Sequence, residues 1–236
     1  MARFTLTNRT LNTPQAEETG NTAAPDKIFL GDMRFRQLLG RGAWNELPNA
    51  VQRRFDKRVR HGQSQIYKGY VSRTHLSTIG WALVQALRIV GAPLPIDMAN
   101  TGQAAIVTVT EDAKDNGQFW TRQYGRKAGF PQIIHSSKRF AGPTGLEEYI
   151  GRGIGMTLHL AVENEVLLFK NTRYFLTLFG RRVYLPKILE PGALTVSHAD
   201  RGVRNGDRWF EFGLKLKHPL FGLLFDQRVM FKDTEA

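Results

Sequence analysis

Three residues at spacing two, Trp120, Arg122 and Tyr124 in QFWTRQYG (residues 118–125), carry the most specific chemistry in the chain. On a β-strand this spacing puts an indole, a guanidinium and a phenol on one face. Arginine stacks on aromatic rings and forks onto a carboxylate or phosphate. The row therefore suits an anionic group held at a pocket mouth, or an ion pair with a neighbouring strand. Glu147 and Glu148 in GLEEYIG are the internal candidates for that pair. Adjacent strand residues face opposite ways, so one of the two can point inward. A buried glutamate with a raised pKa can act as general acid or base; beside an arginine it is more often an ion-pair partner. Trp120, Arg122, Tyr124, Glu147 and Glu148 are the candidate ligand-binding residues.

The remaining polar groups offer less. IIHSSKRF sets His135, Ser136 and Ser137 side by side. A serine nucleophile needs a base in reach and an oxyanion hole. On a strand His135 faces away from Ser136, and no Gly-x-Ser-x-Gly elbow is present. The six histidines (61, 75, 135, 159, 198, 218) are scattered without metal-ligand spacing, and the chain has no cysteine. Disulfides and thiolate sites are excluded, and neither a metal nor a cofactor is expected. LGRGAW and GRGIG lack the context of a phosphate-binding loop and read as turns or tight sheet bends. No catalytic residue is assigned.

KHPLFGLLF, residues 217–225, is unusual. His218-Pro219 interrupts a strand and Phe221-Gly222 reads as a hairpin tip. Such tips are normally polar. Packing onto the protein's own helices is one explanation. The other is a membrane or partner contact made by Phe221, Leu223 and Leu224.

These residues need elements to position them. DMRFRQLLG (32–40) reads as a short helix capped by Asp32, with Phe35, Leu38 and Leu39 on one face. Pro48 suits a first helical turn, and Val51, Phe55 and Val59 recur every four residues. This predicts an amphipathic, basic-faced helix over 48–60. Residues 63–73 read as a strand. A helix follows, with Leu76, Ile79, Leu83, Leu87 and Val90 as its buried stripe. From about residue 100 the period becomes two. Ile154, Met156, Leu158, Leu160 and Val162 alternate with smaller or polar residues, and Asn-Gly at 116–117 signals a hairpin. Helices followed by many antiparallel strands predict an α+β fold. The expected form is a strongly curved antiparallel sheet or half-open barrel of about eight or nine strands, packed with two or three N-terminal helices. Such a sheet can hold an apolar cavity. Residues 1–27 read as a flexible leader and 28–236 as one domain, helical over 32–95 and sheet over 100–232.

The chain has 236 residues and 42% apolar content, enough for a substantial core. Its formal charge is +12, and residues 27–73 hold eleven Lys/Arg against three acids. Such an excess favours anionic partners, or is simply a solvated basic surface. No segment is long and apolar enough to span a bilayer, and no signal peptide is visible. A cytoplasmic location is expected, with a position peripheral to the membrane as its variant.

Five segments, FRQLLGRGAWNELPNAVQRRF, FWTRQYG, LEEYIG, VYLPKILEP and HPLFGLLFDQRVMF, together resemble the bacterial domain of unknown function 4166. The resemblance spans roughly residues 32–232. It implies a Trp-x-Arg-x-aromatic strand, matched by Trp120, Arg122 and Tyr124, and an acidic strand start, matched by Glu147 or Glu148. It also implies a Leu-Pro-x-x-Leu-x-Pro turn, matched by Leu185, Pro186, Leu189 and Pro191. The aromatic-x-Gly ending of the family is missing from FDQRVMF. Members of that family stand alone or are fused to saccharopine-dehydrogenase-like modules; the resemblance implies a fold and a preferred face, not an activity.

The expected function is binding of a hydrophobic or lipid-like small molecule in a sheet-lined pocket, with Arg122 near an anionic group. An enzyme or enzyme-accessory domain using Glu147 or Glu148 with Arg122 is the alternative. Nucleic-acid binding by the basic helix 48–60 is the weakest reading, because no nucleic-acid motif accompanies it. An anionic membrane surface is a further expected partner, and the oligomeric state is left open.

Overall fold

The computed structural model describes residues 30–60, 62–89, 94–151 and 153–233. The expected leader lies outside the described residues, as do His61 and Val90.

Strand β1 (Leu30–Gly31) pairs with β2 (Lys57–Arg58), and three short helices run between them: α1 (Arg34–Leu39), α2 (Arg41–Asn45) and α3 (Asn49–Phe55). Asp32 accepts the Arg34 backbone N–H at 3.1 Å, which satisfies a first-turn donor. Gly40 forms the corner between α1 and α2 at φ 78°, a value that favours glycine.

The basic helix predicted over 48–60 is shorter than its periodicity suggests. It ends at Phe55, because Asp56 leaves helical geometry at φ −89° and ψ 0° and Lys57–Arg58 joins the ladder with β1. Val59 is buried all the same, but not as part of the helix. Arg54 turns inward, lies 3.7 Å over the Phe210 ring and pairs with Asp233 at 2.6 Å. No continuous basic helical face forms over this segment.

The sheet begins with β3 (Ser64–Leu76), followed by α4 (Thr78–Ile89). Then come β4 (Ala104–Asp112), β5 (Gly117–Tyr124), β6 (Gln132–Arg139), β7 (Glu147–Gly151), β8 (Ile154–Glu163) and β9 (Val166–Leu178). The chain ends with β10 (Arg181–Tyr184), β11 (Ala193–Arg204), β12 (Asp207–His218) and β13 (Gly222–Lys232). Their order is β10-β9-β11-β12-β13-β3-β4-β5-β6-β7-β8, and β8 pairs back onto β9. Ten antiparallel strands thus close into a barrel, and β10 hangs from the end of β9.

The half-open sheet of eight or nine strands is corrected to a closed barrel of ten, with four α-helices among the described residues. Alternation identifies strands but carries no information on which strand closes the ring. Closure is made by β9, whose 13 residues pair with β8 on one side and with β11 on the other. The ring itself has no open edge; the short β10, paired on one side to β9, lies outside it. β3 also sits between helices in the sequence, so the helical and sheet parts interleave along the chain.

The two ends of the barrel differ. At one end α1–α3 form a plug, tied to the β4–β5 turn by Arg34, which donates to the Asn116 carbonyl at 2.9 Å. Phe35 packs edge-on against Phe55, Phe140 and Phe169, with centroids 5.3, 4.9 and 6.0 Å away. Trp44, Leu47 and Val51 complete this packed half.

The other end is covered by α4. Ser77 donates its backbone N–H to Leu224 and accepts the Gly80 N–H on its hydroxyl, both at 3.0 Å. A Cβ on Gly80 would lie 2.2 Å from the Leu224 carbonyl oxygen, so glycine is what allows the helix to approach β13. The buried face of α4 is Gly80 and Val84, with Leu83 and Leu87 turned towards the barrel interior. Ile79, expected in the buried stripe, is 47% exposed, because the close approach at Gly80 rotates it outward. Among the described residues, no helix is long and apolar enough to cross a membrane.

Candidate functional site

The alternation that defines each strand also fills the barrel. Side chains of one parity point inward: Trp120, Arg122 and Tyr124 on β5, Ile134, Ser136 and Lys138 on β6, Glu148 and Ile150 on β7. In the plug half such side chains meet the helices. In the α4 half they do not meet, and a cavity of about 280 Å³ remains between them. This is near the lower end of the roughly 300–1,000 Å³ usual for small-molecule sites. Its walls are aliphatic, with Ile134, Met156, Val196, Leu214 and Leu216 from the barrel and Leu83 and Leu87 from the covering helix.

Of the polar residues that border it, Arg122, Ser136 and Glu148 lie together at its floor; Tyr174, whose hydroxyl donates to the Gly192 carbonyl at 3.1 Å, and His135 border it as well. Arg122 Nη2 donates to Ser136 Oγ and lies 3.3 Å from Glu148 Oε1. Lys138 Nζ donates to the same Glu148 oxygen at 3.1 Å. The Lys138 ammonium also rests on the rings of Trp120 and Phe169, 4.8 and 5.5 Å from their centroids. All three charged side chains are buried. Among the described residues, Glu148 is the one acid paired with either cation.

Burial alone would raise the Glu148 carboxyl. Lys138, Arg122 and the hydrogen bond from Ser136 outweigh it and hold the group below the usual carboxylate range. Burial lowers the Lys138 ammonium, and Glu148 opposes that shift. Two cations thus share one carboxylate, and the Arg122 Nε–H has no acceptor. Beneath Arg122 a void of about 10 Å³ is bordered by Trp120, Tyr67 and His198. The Trp120 indole N–H and His198 Nδ1 also lack partners there. The floor sets two cations against one carboxylate, which suits an anionic group.

The expected site residues separate into groups. Arg122 and Glu148 meet at the floor. Trp120 supports Lys138 from the packed half instead of lining the cavity. Tyr124 is buried but does not reach the cavity. Glu147 points to the outer side of the barrel, 2.8 Å from Arg182, and accepts from the Tyr149 hydroxyl at 3.1 Å. Ser136 faces inward, while His135 lies outside against Thr121 at 3.2 Å. At the β12–β13 tip Phe221 is exposed and Leu223 half-buried. Leu224 is 1% exposed, in the core under α4, and is not presented to any partner. Lys138 and His198 were not singled out by sequence reasoning. Their parity with Ile134 and Ser136, and with Leu194 and Val196, was the available signal.

The model of the family described as Domain of unknown function (DUF4166) matches residues 47–231. The chain belongs to that family. The matched region begins just after α2 and runs into the last strand, so it takes in the barrel strands, α4 and the cavity of this DUF4166 domain. No curated protein and no solved structure matches the chain.

Proposed function

We propose that this DUF4166 domain binds a hydrophobic small molecule that bears one anionic group. The group sits at Arg122, and the apolar part runs along the cavity towards α4. One observation carries the reading: an aliphatic cavity of about 280 Å³ whose floor holds two cations against a single carboxylate. A second anion there balances the floor. Charge-assisted bonds of this kind contribute about 1.5–3 kcal/mol each.

Use of the same floor for acid–base catalysis has less support. Glu148 is held ionised by two cations and is no proton donor at neutral pH, and Glu147 faces away. Native mass spectrometry of freshly purified protein, followed by addition of dodecanoate, tests the binding reading. A co-purifying small molecule, or a one-to-one adduct with dodecanoate, is expected. An empty mass that stays empty in dodecanoate contradicts it.

A further inference from the structure

We propose that the α4 end of the barrel docks on an anionic lipid bilayer. The inference extends the cavity reading, because this end holds the cavity, but it stands on surface residues of its own.

The first observation is where apolar surface is exposed. Most of the large hydrophobic side chains exposed among the described residues ring this one end; Met33, Ile66, Tyr70, Phe119 and Val203 lie elsewhere. The ring comes from several separate segments. Trp81 is on α4, Phe130 precedes β6, Phe179 tips the β9–β10 hairpin and Leu220 and Phe221 tip the β12–β13 hairpin. Phe179 is fully exposed and sits at φ 50°. Asn or Gly is the usual residue at that hairpin position, and a bulky side chain there is strained.

The second observation is charge. Arg88, Lys127, Arg181, Lys187 and Lys217 lie at the same end, exposed, and none forms a salt bridge among the described residues. The acids nearby are committed: Asp97 to Arg126 at 3.7 Å and Glu190 to Arg173 at 3.9 Å. Unpaired cations among exposed aromatic and aliphatic tips fit an anionic interface, where rings sit at headgroup level and each basic residue adds electrostatic attraction. An acidic protein surface would match the charge, but not isolated apolar tips spaced around a rim. Docked in this way, the cavity faces the bilayer, and an amphiphile can pass between the two without crossing water.

Vesicle co-sedimentation of the full chain tests this. The probes are vesicles of phosphatidylcholine alone and of phosphatidylcholine with phosphatidylglycerol in equal parts. The wild type is expected to sediment with the anionic vesicles and not the neutral ones. Phe179→Ser with Phe221→Ser is expected to weaken partitioning on the order of tenfold per ring. Lys127→Gln, Lys187→Gln and Lys217→Gln together are expected to weaken it on the order of a hundredfold, at about fivefold per cation. All five positions are exposed, and circular dichroism confirms that each variant is folded. Failure of the wild type to bind anionic vesicles overturns the proposal. So does equal binding by the folded variants, or self-association through this end in place of vesicle binding. Dodecanoate uptake in the absence of vesicles reports the cavity separately, so failure of docking and failure of ligand binding are distinguishable.

Discussion

Lys138 faces Glu148 directly across the β6–β7 ladder, and its Nζ lies 3.1 Å from Glu148 Oε1. Arg122 reaches the same oxygen from β5 at 3.3 Å. Removing the shared acid strands two buried cations, whereas removing one cation leaves a matched pair. Glu148→Gln is therefore expected to destabilise the domain by about 3–5 kcal/mol. Lys138→Met, which leaves the Arg122–Glu148 pair and adds apolar surface beside Trp120, is expected to cost clearly less. Urea unfolding of both variants checks the order; equal losses would mean the three groups do not act as one unit.

Arg122 is the cation that touches the cavity. Arg122→Leu keeps Glu148 paired with Lys138 but removes the donors at the floor. Affinity for dodecanoate is expected to fall by roughly ten- to a hundredfold, the equivalent of one charge-assisted bond. Affinity for dodecanol is expected to change little. Parallel calorimetric titrations give the comparison, and equal losses for both ligands would remove the assigned role of Arg122.

Val196 lines the cavity wall and is buried. Val196→Phe places a ring in the empty space. Binding is expected to be lost, while stability changes by about 1 kcal/mol or less, because the added atoms fill a void instead of overpacking a dense core. Thermal unfolding and dodecanoate uptake, measured on the same sample, check both halves. Full retention of binding would place the ligand elsewhere.

His198 is enclosed by Phe55, Phe210, Phe212 and Trp120. Burial, reinforced by Arg54, Lys138 and Arg122, pushes its pKa well below 6.5. The native state therefore holds His198 neutral while the unfolded chain takes up a proton below about pH 6.5. The stability this contributes is complete above that pH and is lost as pH falls towards the native pKa, at up to about 1.4 kcal/mol per unit. His198→Phe is expected to flatten stability between about pH 6.5 and pH 5. Urea midpoints across that range supply the test; an unchanged slope would assign the acid sensitivity to other groups.

Much of the site was legible because inward parity on a strand is a local property. The row at 120, 122 and 124 does share one buried face, and one glutamate of the adjacent pair does turn to Arg122. The placement of the cavity was not legible. It depends on α1–α3 filling one half of the barrel and α4 only capping the other, and helix periodicity says nothing about which end a helix covers. The register of β6 against β7, which brings Lys138 opposite Glu148, was equally out of reach. The overlong basic helix failed for a tertiary reason. Residues 57–58 gain backbone partners in β1 that continued helix would deny them.

A calorimetric titration of the wild-type protein with dodecanoate below its micelle-forming concentration, set against dodecanol, tests the central claim most directly. The account predicts saturable one-to-one binding of both, with the carboxylate tighter. No saturable binding of either, or an alcohol bound as tightly as the acid, would contradict it.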